Sequence, residues 1–370
     1  MHCEIEFLPV GDASKAGDAI VLRYGNAFDY KLMLVDGGHA ETGDQIVSHL
    51  RQHFGQRPVL EHVVLTHSDG DHASGLRTVL AEIKVKNLWL HLPWEHAAET
   101  LQLFADKRWT VDGLRRVIKE QYSIVSEIHD LAVAQGTTIN GAFQGQNIGP
   151  FHVCSPSVPA YNFLLPQFDK TPEPDQAVIE QAGMWLGKES LVKRIMEAAK
   201  AALQDWTTET WAFERLKDGG QTSASNESSV VLYGCFDNNV RVLLTGDTGI
   251  NGLTWTANYA DRIGLPLRQF TFVQVPHHGS RRNVGPTVLN RLVGPILPQG
   301  SSSRFAAYIS APADDTKHPR RIVINAFTRR GGLPIATQGN SKVHWGGFPS
   351  RQGYANAEPL PFYAEVEEYT

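Results

Sequence analysis

Residues 63–75 read VVLTHSDGDHASG. Three apolar residues lead into Thr66, and the next six positions carry His67, Asp69, Asp71 and His72. A short apolar run closed by polar residues predicts a buried strand, and Ser74 to Ile83 has the composition of a helix. Asn87-Leu88-Trp89-Leu90 then predicts the next strand. Strand, polar loop, helix and strand in that order argue for an α/β fold. They place the polar cluster at the C-terminal end of a strand, where open α/β sheets keep their sites. A His-x-Asp-x-Asp-His segment presents imidazoles and carboxylates from one tight loop, a donor mixture suited to Zn, Mn or Fe.

Further from this stretch the same pattern returns. Upstream, Ala19-Ile20-Val21-Leu22 and Lys31-Leu32-Met33-Leu34-Val35 predict strands, the second stopped by Asp36-Gly37-Gly38. Ile46, Val47, Leu50 and Phe54 follow at helical spacing. Downstream, Val240 to Leu244 leads into Thr245-Gly246-Asp247, and Phe270 to Val275 leads into Pro276-His277-His278-Gly279-Ser280. Three polar clusters, far apart in the chain, thus each follow an apolar strand. The middle of the chain differs. Apolar residues recur at helical steps between Thr110 and Gly136, which predicts one long amphipathic helix ending at the glycine. A second helical stretch is expected from about Trp185 to Trp206, after a loop over 166–175 and before a small-residue linker over 219–225.

The chain has 370 residues, 42% of them hydrophobic and 20% charged, as in a globular protein that buries one large core or two ordinary ones. Three widely spaced cysteines suggest neither a disulfide framework nor a cysteine-rich zinc site. With no basic-then-apolar leader and no apolar run near the roughly 20 residues that cross a bilayer, a cytoplasmic protein with no membrane partner is expected. The net charge of −5 is unevenly distributed. Residues 277–351 hold eleven Lys and Arg but only Asp314 and Asp315 as acids, which predicts a local anion site within an acidic protein. Pro319 is placed to open a helix running to about Arg330, whose free N–H groups would suit a phosphate.

The stretches AGDAIVLRYG, LMLVDGG, VVLTHSDGDHASGL, NESSVVLYG, VLLTGDTG, VQVPHHGSRRN and KHP occur in an order that resembles the metallo-β-lactamase superfamily. The resemblance is closer to the metallohydrolase domain of ComEC-type competence proteins, which are associated with DNA uptake. It implies a four-layer αββα sandwich, here one domain over 1–370 with helical insertions at about 95–140 and 166–222. It also implies a hydrolase, foremost a phosphodiesterase or nuclease, using two divalent metal ions, Zn or Mn. Carried over residue by residue, His67, Asp69, Asp71, His72, Asp247 and His278 are the expected ligands. Asp36 resembles a brace behind them, and Asn226 stands where many superfamily members have a histidine. That departure leaves the first metal with His67, Asp69 and Asp247 and predicts weak binding there. Asp69 replaces another usual histidine, which adds a hard oxygen and shifts preference toward Mn or Mg.

Asp71 and His318 are the expected catalytic groups. Asp71 orients the attacking water, and His318 holds a phosphate or protonates the leaving group. His277, Arg281, Arg282, Lys317 and Arg320 are expected to contact a phosphodiester substrate, a nucleic acid or a nucleotide. The helical insertion is expected to shape the substrate groove or a homodimer interface. Two alternatives stand beside this reading: hydrolysis of a carboxyl ester, lactone or lactam by the same metals, or a non-catalytic binding module with a degraded site.

Overall fold

A computed structural model describes residues 1–13, 15–185 and 206–369. The helical stretch expected over 185–206 lies almost wholly outside the described residues. In chain order the strands are β1 His2–Phe7, β2 Ile20–Gly25, β3 Tyr30–Val35, β4 Val59–Val64, β5 Lys84–Trp89, β6 Thr138–Asn140, β7 Asn147–Ile148 and β8 Phe151–Ser155. They continue with β9 Trp206–Thr208, β10 Val231–Cys235, β11 Arg241–Leu244, β12 Phe272–Gln274, β13 Phe305–Ile309, β14 Gly332–Ala336, β15 Lys342–Gly346 and β16 Glu365–Glu367. Two seven-stranded sheets result, ordered β15-β1-β2-β3-β4-β5-β6 and β14-β13-β12-β11-β10-β8-β7, with a two-stranded sheet of β16 and β9.

Side-chain alternation builds the layers, because neighbouring residues on a strand face opposite ways. On β3, Met33 and Val35 join one cluster, which also takes Ile5, Phe7, Leu232, Val242 and Phe272 from both sheets. Leu32 and Leu34 face the other way, onto Ile46 and Leu50 of the helix Thr42–Phe54 and Leu76 and Leu80 of the helix Leu76–Glu82. On the second sheet, Leu243, Val273 and Ala307 pack against Leu253, Leu289 and Val323 of the helices Ile250–Ile263, Pro286–Leu292 and Arg321–Arg329. The protein is therefore an α/β sandwich of two sheets flanked by helices. Each fully buried Leu or Ile in these layers contributes about 2 kcal/mol.

The site edge follows from strand direction. β3 and β4 run parallel, as do β11, β12 and β13. Their C-terminal ends release Asp36, His67, Asp247, His277-His278 and Ser310, gathered from both sheets.

Several expectations are corrected. The long helix over 110–136 is two helices, Val111–Gln121 and Ser123–Gln135, broken at Tyr122, whose backbone sits at φ −98°, ψ 48°. No glycine or proline marks the break. Tyr122 is instead buried against Phe168, which pulls it off the helical path. Gly136 does end the second helix in the left-handed region at φ 73°. The helix expected from Ser74 runs Leu76–Glu82 and is preceded by a separate helical turn, Gly70–Ala73, with Asp69 at its N-cap position but no side-chain cap hydrogen bond. The helix expected to open at Pro319 begins at Arg321. Its first two N–H groups are already taken: Arg321 and Ile322 donate to the two carboxylate oxygens of Glu367 at 2.9 and 3.2 Å. That N-terminus has no free donors for a phosphate.

Candidate metal centre

Asp36 sits at the end of β3 with φ 60° and is fully buried. Its Oδ2 lies 2.8 Å from His72 Nδ1. Thr66 donates to the same carboxylate twice, from its backbone N–H and from Oγ1, both at 2.7 Å. Because Thr66 Oγ1 spends its proton there, it accepts from His67 Nδ1, 3.1 Å away. His278 Nδ1 in turn donates to the carbonyl of Ser310 at 2.9 Å. In their neutral form all three imidazoles thus carry their proton on Nδ1 and present a lone pair at Nε2, the arrangement that suits metal ligation.

Those lone pairs meet acceptors rather than donors. His72 Nε2 is 3.4 Å from Asp247 Oδ2 and 3.9 Å from Asp71 Oδ2. His278 Nε2 is 3.7 Å from Asp247 Oδ2, and His67 Nε2 is 3.6 Å from Asp69 Oδ2. The Nε2 atoms of His67, His72 and His278, with Asp247 Oδ1, are buried and have no hydrogen-bond partner among the described residues. Asp71, His72, Asp247 and His278 each offer a donor atom within 4.8 Å of the others. Buried, unpaired acceptors are costly unless something positive lies between them. A divalent cation fits this set.

Charge tells the same story. Burial alone would lower His72, yet Asp247, Asp36 and Asp71 outweigh it and hold the imidazole well above its usual range. Burial would raise Asp247, yet His72, His277 and His278 hold its carboxyl well below the usual range. A proton on His72 supplies here the positive charge that a metal would bring, so the two compete for the same place.

The remaining expected residues are placed as follows. Asp69 is partly exposed and accepts from Ser225 Oγ at 2.6 Å. Asn226 points at His277 Nδ1, 3.2 Å from its Nδ2. His277, expected to meet substrate, has its Nε2 3.7 Å from Asp247 Oδ2. His318 is brought to the site because the backbone N–H of Arg320 donates to the carbonyl of Gly279 at 3.1 Å. A Cβ at Gly279 would stand 2.7 Å from that of Pro319, so only glycine permits this approach. The His318 ring centres 6.2 Å from His277 and 6.4 Å from His278, its Nδ1 held 3.2 Å from Asp315 Oδ2. Burial lowers its imidazole, against the opposing pull of Asp315.

Four of the eleven basic residues of 277–351 are paired with acids within the fold. Arg329 pairs with Glu209, Arg330 with Glu214, Arg291 with Asp261, and Arg351 with Glu4 and Glu6. Arg281, expected to meet substrate, donates to the carbonyl of Glu368 and lies over Tyr369, which ties it to the segment that follows β16. Arg282, Lys317 and Arg320 make no ion pair among the described residues.

Sequence reasoning missed Asp18. It is fully buried, accepts from Gln274 Nε2 at 2.7 Å, and stands 4.0 Å from His278 Nδ1. Gln274 Oε1 in turn accepts from the backbone N–H groups of Thr245 and Gly246, fixing the turn that carries Asp247. An acid directly before an apolar strand, Asp18-Ala19-Ile20-Val21, was the available signal. On the Asp69 side a cleft of about 420 Å³ opens between 164–176 and 221–227. Leu164, Phe168, Gln221 and Asn251 line it with Asp169 and Glu227, and among the described residues no Lys or Arg does.

Two sheets releasing His and Asp donors at one edge define a class of α/β sandwich with a candidate metal centre at that edge. Residues 16–158 match the sequence model of the Metallo-beta-lactamase superfamily. No curated protein matches the chain. Among solved structures it is similar to the metallo-beta-lactamase fold protein YhfI from Bacillus subtilis, at 10% identity and TM-score 0.40, over 93% of this chain and 100% of that one. It is also similar to a long form RNase Z from yeast, at 12% identity and TM-score 0.37, over 93% of this chain and 41% of that one. Among the described residues no helix is long and apolar enough to cross a membrane.

Proposed function

We propose that this chain is a metal-dependent hydrolase of phosphodiesters, a phosphodiesterase or nuclease that binds two divalent ions. The observation that carries this reading is the set of buried, unpaired Nε2 and carboxylate acceptors converging on Asp247. Divalent metal in this donor set supplies charge to polarise a phosphoryl oxygen and to lower the pKa of the attacking water. The chain's own groups do the rest. Asp71, partly exposed at the rim, accepts the proton of that water and orients it. His318, with Nδ1 held by Asp315, holds the phosphate or, when protonated to the imidazolium, gives its Nε2 proton to the leaving group. Arg282, Lys317 and Arg320 hold the substrate's phosphates on that side. The order of motifs shared with ComEC-type metallohydrolase domains supports a nucleic acid or nucleotide as the diester, and the oxygen-rich Asp69 and Asp71 support Mn over Zn.

A screen of the purified chain with Mn²⁺ or Zn²⁺ against DNA, RNA, cyclic nucleotides and bis(p-nitrophenyl) phosphate tests this, with Asp71→Ala as control. Metal-dependent turnover that Asp71→Ala removes is expected. Intact substrates under every metal would overturn the reading. The cleft on the Asp69 side, which Asp169 and Glu227 line and no Lys or Arg among the described residues does, favours one second reading, an uncharged ester or lactone. Turnover of such esters with no diester activity would replace the first reading by the second.

A further inference from the structure

We propose that His277, the first histidine of the His277-His278 pair, is itself a metal ligand. It takes up the role left open by the asparagine at 226. This rests on the two-metal reading above and adds a donor to it.

The argument is one of tautomer and direction. Each of His67, His72 and His278 has Nδ1 against an acceptor and Nε2 facing the centre, and His277 has the same signature. Its Nδ1 lies 3.0 Å from Asn283 Oδ1. Asn283 cannot flip, because its Nδ2 donates to the carbonyls of Asp247 and Thr248 at 2.8 and 3.2 Å. Its Oδ1 is therefore an acceptor, and His277 Nδ1 carries the proton. Asn226, 3.2 Å from that same Nδ1, can turn its amide over, because its other partner, Thr222 Oγ1, both donates and accepts.

With Nδ1 protonated, His277 Nε2 is a lone pair 3.7 Å from Asp247 Oδ2, with no proton between them. That is the separation His278 Nε2 keeps from the same oxygen. The Asp247 carboxylate is buried and the His277 ring partly exposed, so the two acceptors face each other at the rim of the centre, where a cation can bridge them. His277 also holds φ 47°, a left-handed conformation that a non-glycine residue adopts at a cost and that clusters at functional sites. Asn226 and Thr222 pack beside it, so His277 occupies the side of the centre where the sequence leaves a ligand missing.

The test is metal content of the full chain after dialysis against Mn²⁺ or Zn²⁺, with affinity by titration calorimetry, for wild type, His277→Ala and His277→Asn. Asparagine tolerates the left-handed backbone and guards against a folding artefact. We expect both variants to lose one of two ions, or to bind one at least ten-fold more weakly. Asn283→Ala, which frees the tautomer, is expected to weaken the same ion by less. Co²⁺ bound to His277→Asn is expected to show an altered visible absorption. Wild-type stoichiometry and affinity in both variants, with metal bound normally by wild type, overturns the role of His277 and leaves the two-metal reading standing. Wild-type protein that takes up no metal overturns both.

Discussion

At the scale of the residue, Asp36 governs the centre without facing it. It fixes the tautomer of His72 directly and of His67 through Thr66. Asp36→Asn keeps the shape and tolerates the φ of 60° but removes the carboxylate. Metal affinity is expected to fall roughly 10- to 100-fold by calorimetry; unchanged affinity would refute the brace. His91 offers a different test. It is buried, donates from Nε2 to the carbonyl of Ala142 at 2.9 Å, and burial lowers its imidazole to about 3. The unfolded chain takes up a proton on this residue near pH 6.5, whereas the folded chain stays neutral down to about 3. Its stabilising contribution is therefore full above pH 6.5 and is lost as pH falls toward 3. Denaturant midpoints measured from pH 8 to pH 5 should fall less steeply in His91→Gln than in wild type. Parallel profiles would exclude His91 as the source.

At the scale of the element, the helix Arg321–Arg329 depends on a carboxylate from the far end of the chain. Glu367 accepts from its first two N–H groups, and strand β16 is in turn paired with β9. Glu367→Gln keeps the shape and weakens the charge, so a loss of about 1 kcal/mol in urea unfolding is expected. No change would mean that water caps the helix equally well. Such dependence explains what the sequence concealed. Central strands were legible because a strand buried on both faces reads as a continuous apolar run, and the candidate metal donors were legible as polar clusters that each follow such a run. The cap was not, because nothing near Pro319 mentions Glu367. The break at Tyr122 was hidden for the same reason, since its cause is Phe168 across the fold. Part of the basic segment's charge is met by Glu209, Glu214, Glu4 and Glu6, a pairing no local reading shows because they lie more than a hundred residues away in the chain.

At the scale of the whole molecule, the centre joins the two sheets. His67 and His72 hang from the first sheet, and Asp247 and His278 from the second. Beneath them Gln274 reaches across to Asp18, and Ser310 Oγ donates to the carbonyl of Gly17 at 2.6 Å. Metal bound between the sheets should therefore stabilise the entire fold. At a free concentration a thousand-fold above Kd the gain is about 4 kcal/mol, lost again on chelation. Hydrogen exchange should slow at the ends of both β4 and β12 when Mn²⁺ is added. Protection confined to one sheet would show that the ligands do not span them.

His277, His278 and Gly279 hold φ of 47°, 55° and 83° in succession, two of the three without the glycine that such a backbone favours. Sequence and stability are set against each other in this turn. Glycine at 277 or 278 would relieve the backbone and remove an imidazole. Under laboratory evolution for heat resistance alone, with no demand for metal, these two codons should be among the first to drift, and a library screened for retained metal should hold them fixed.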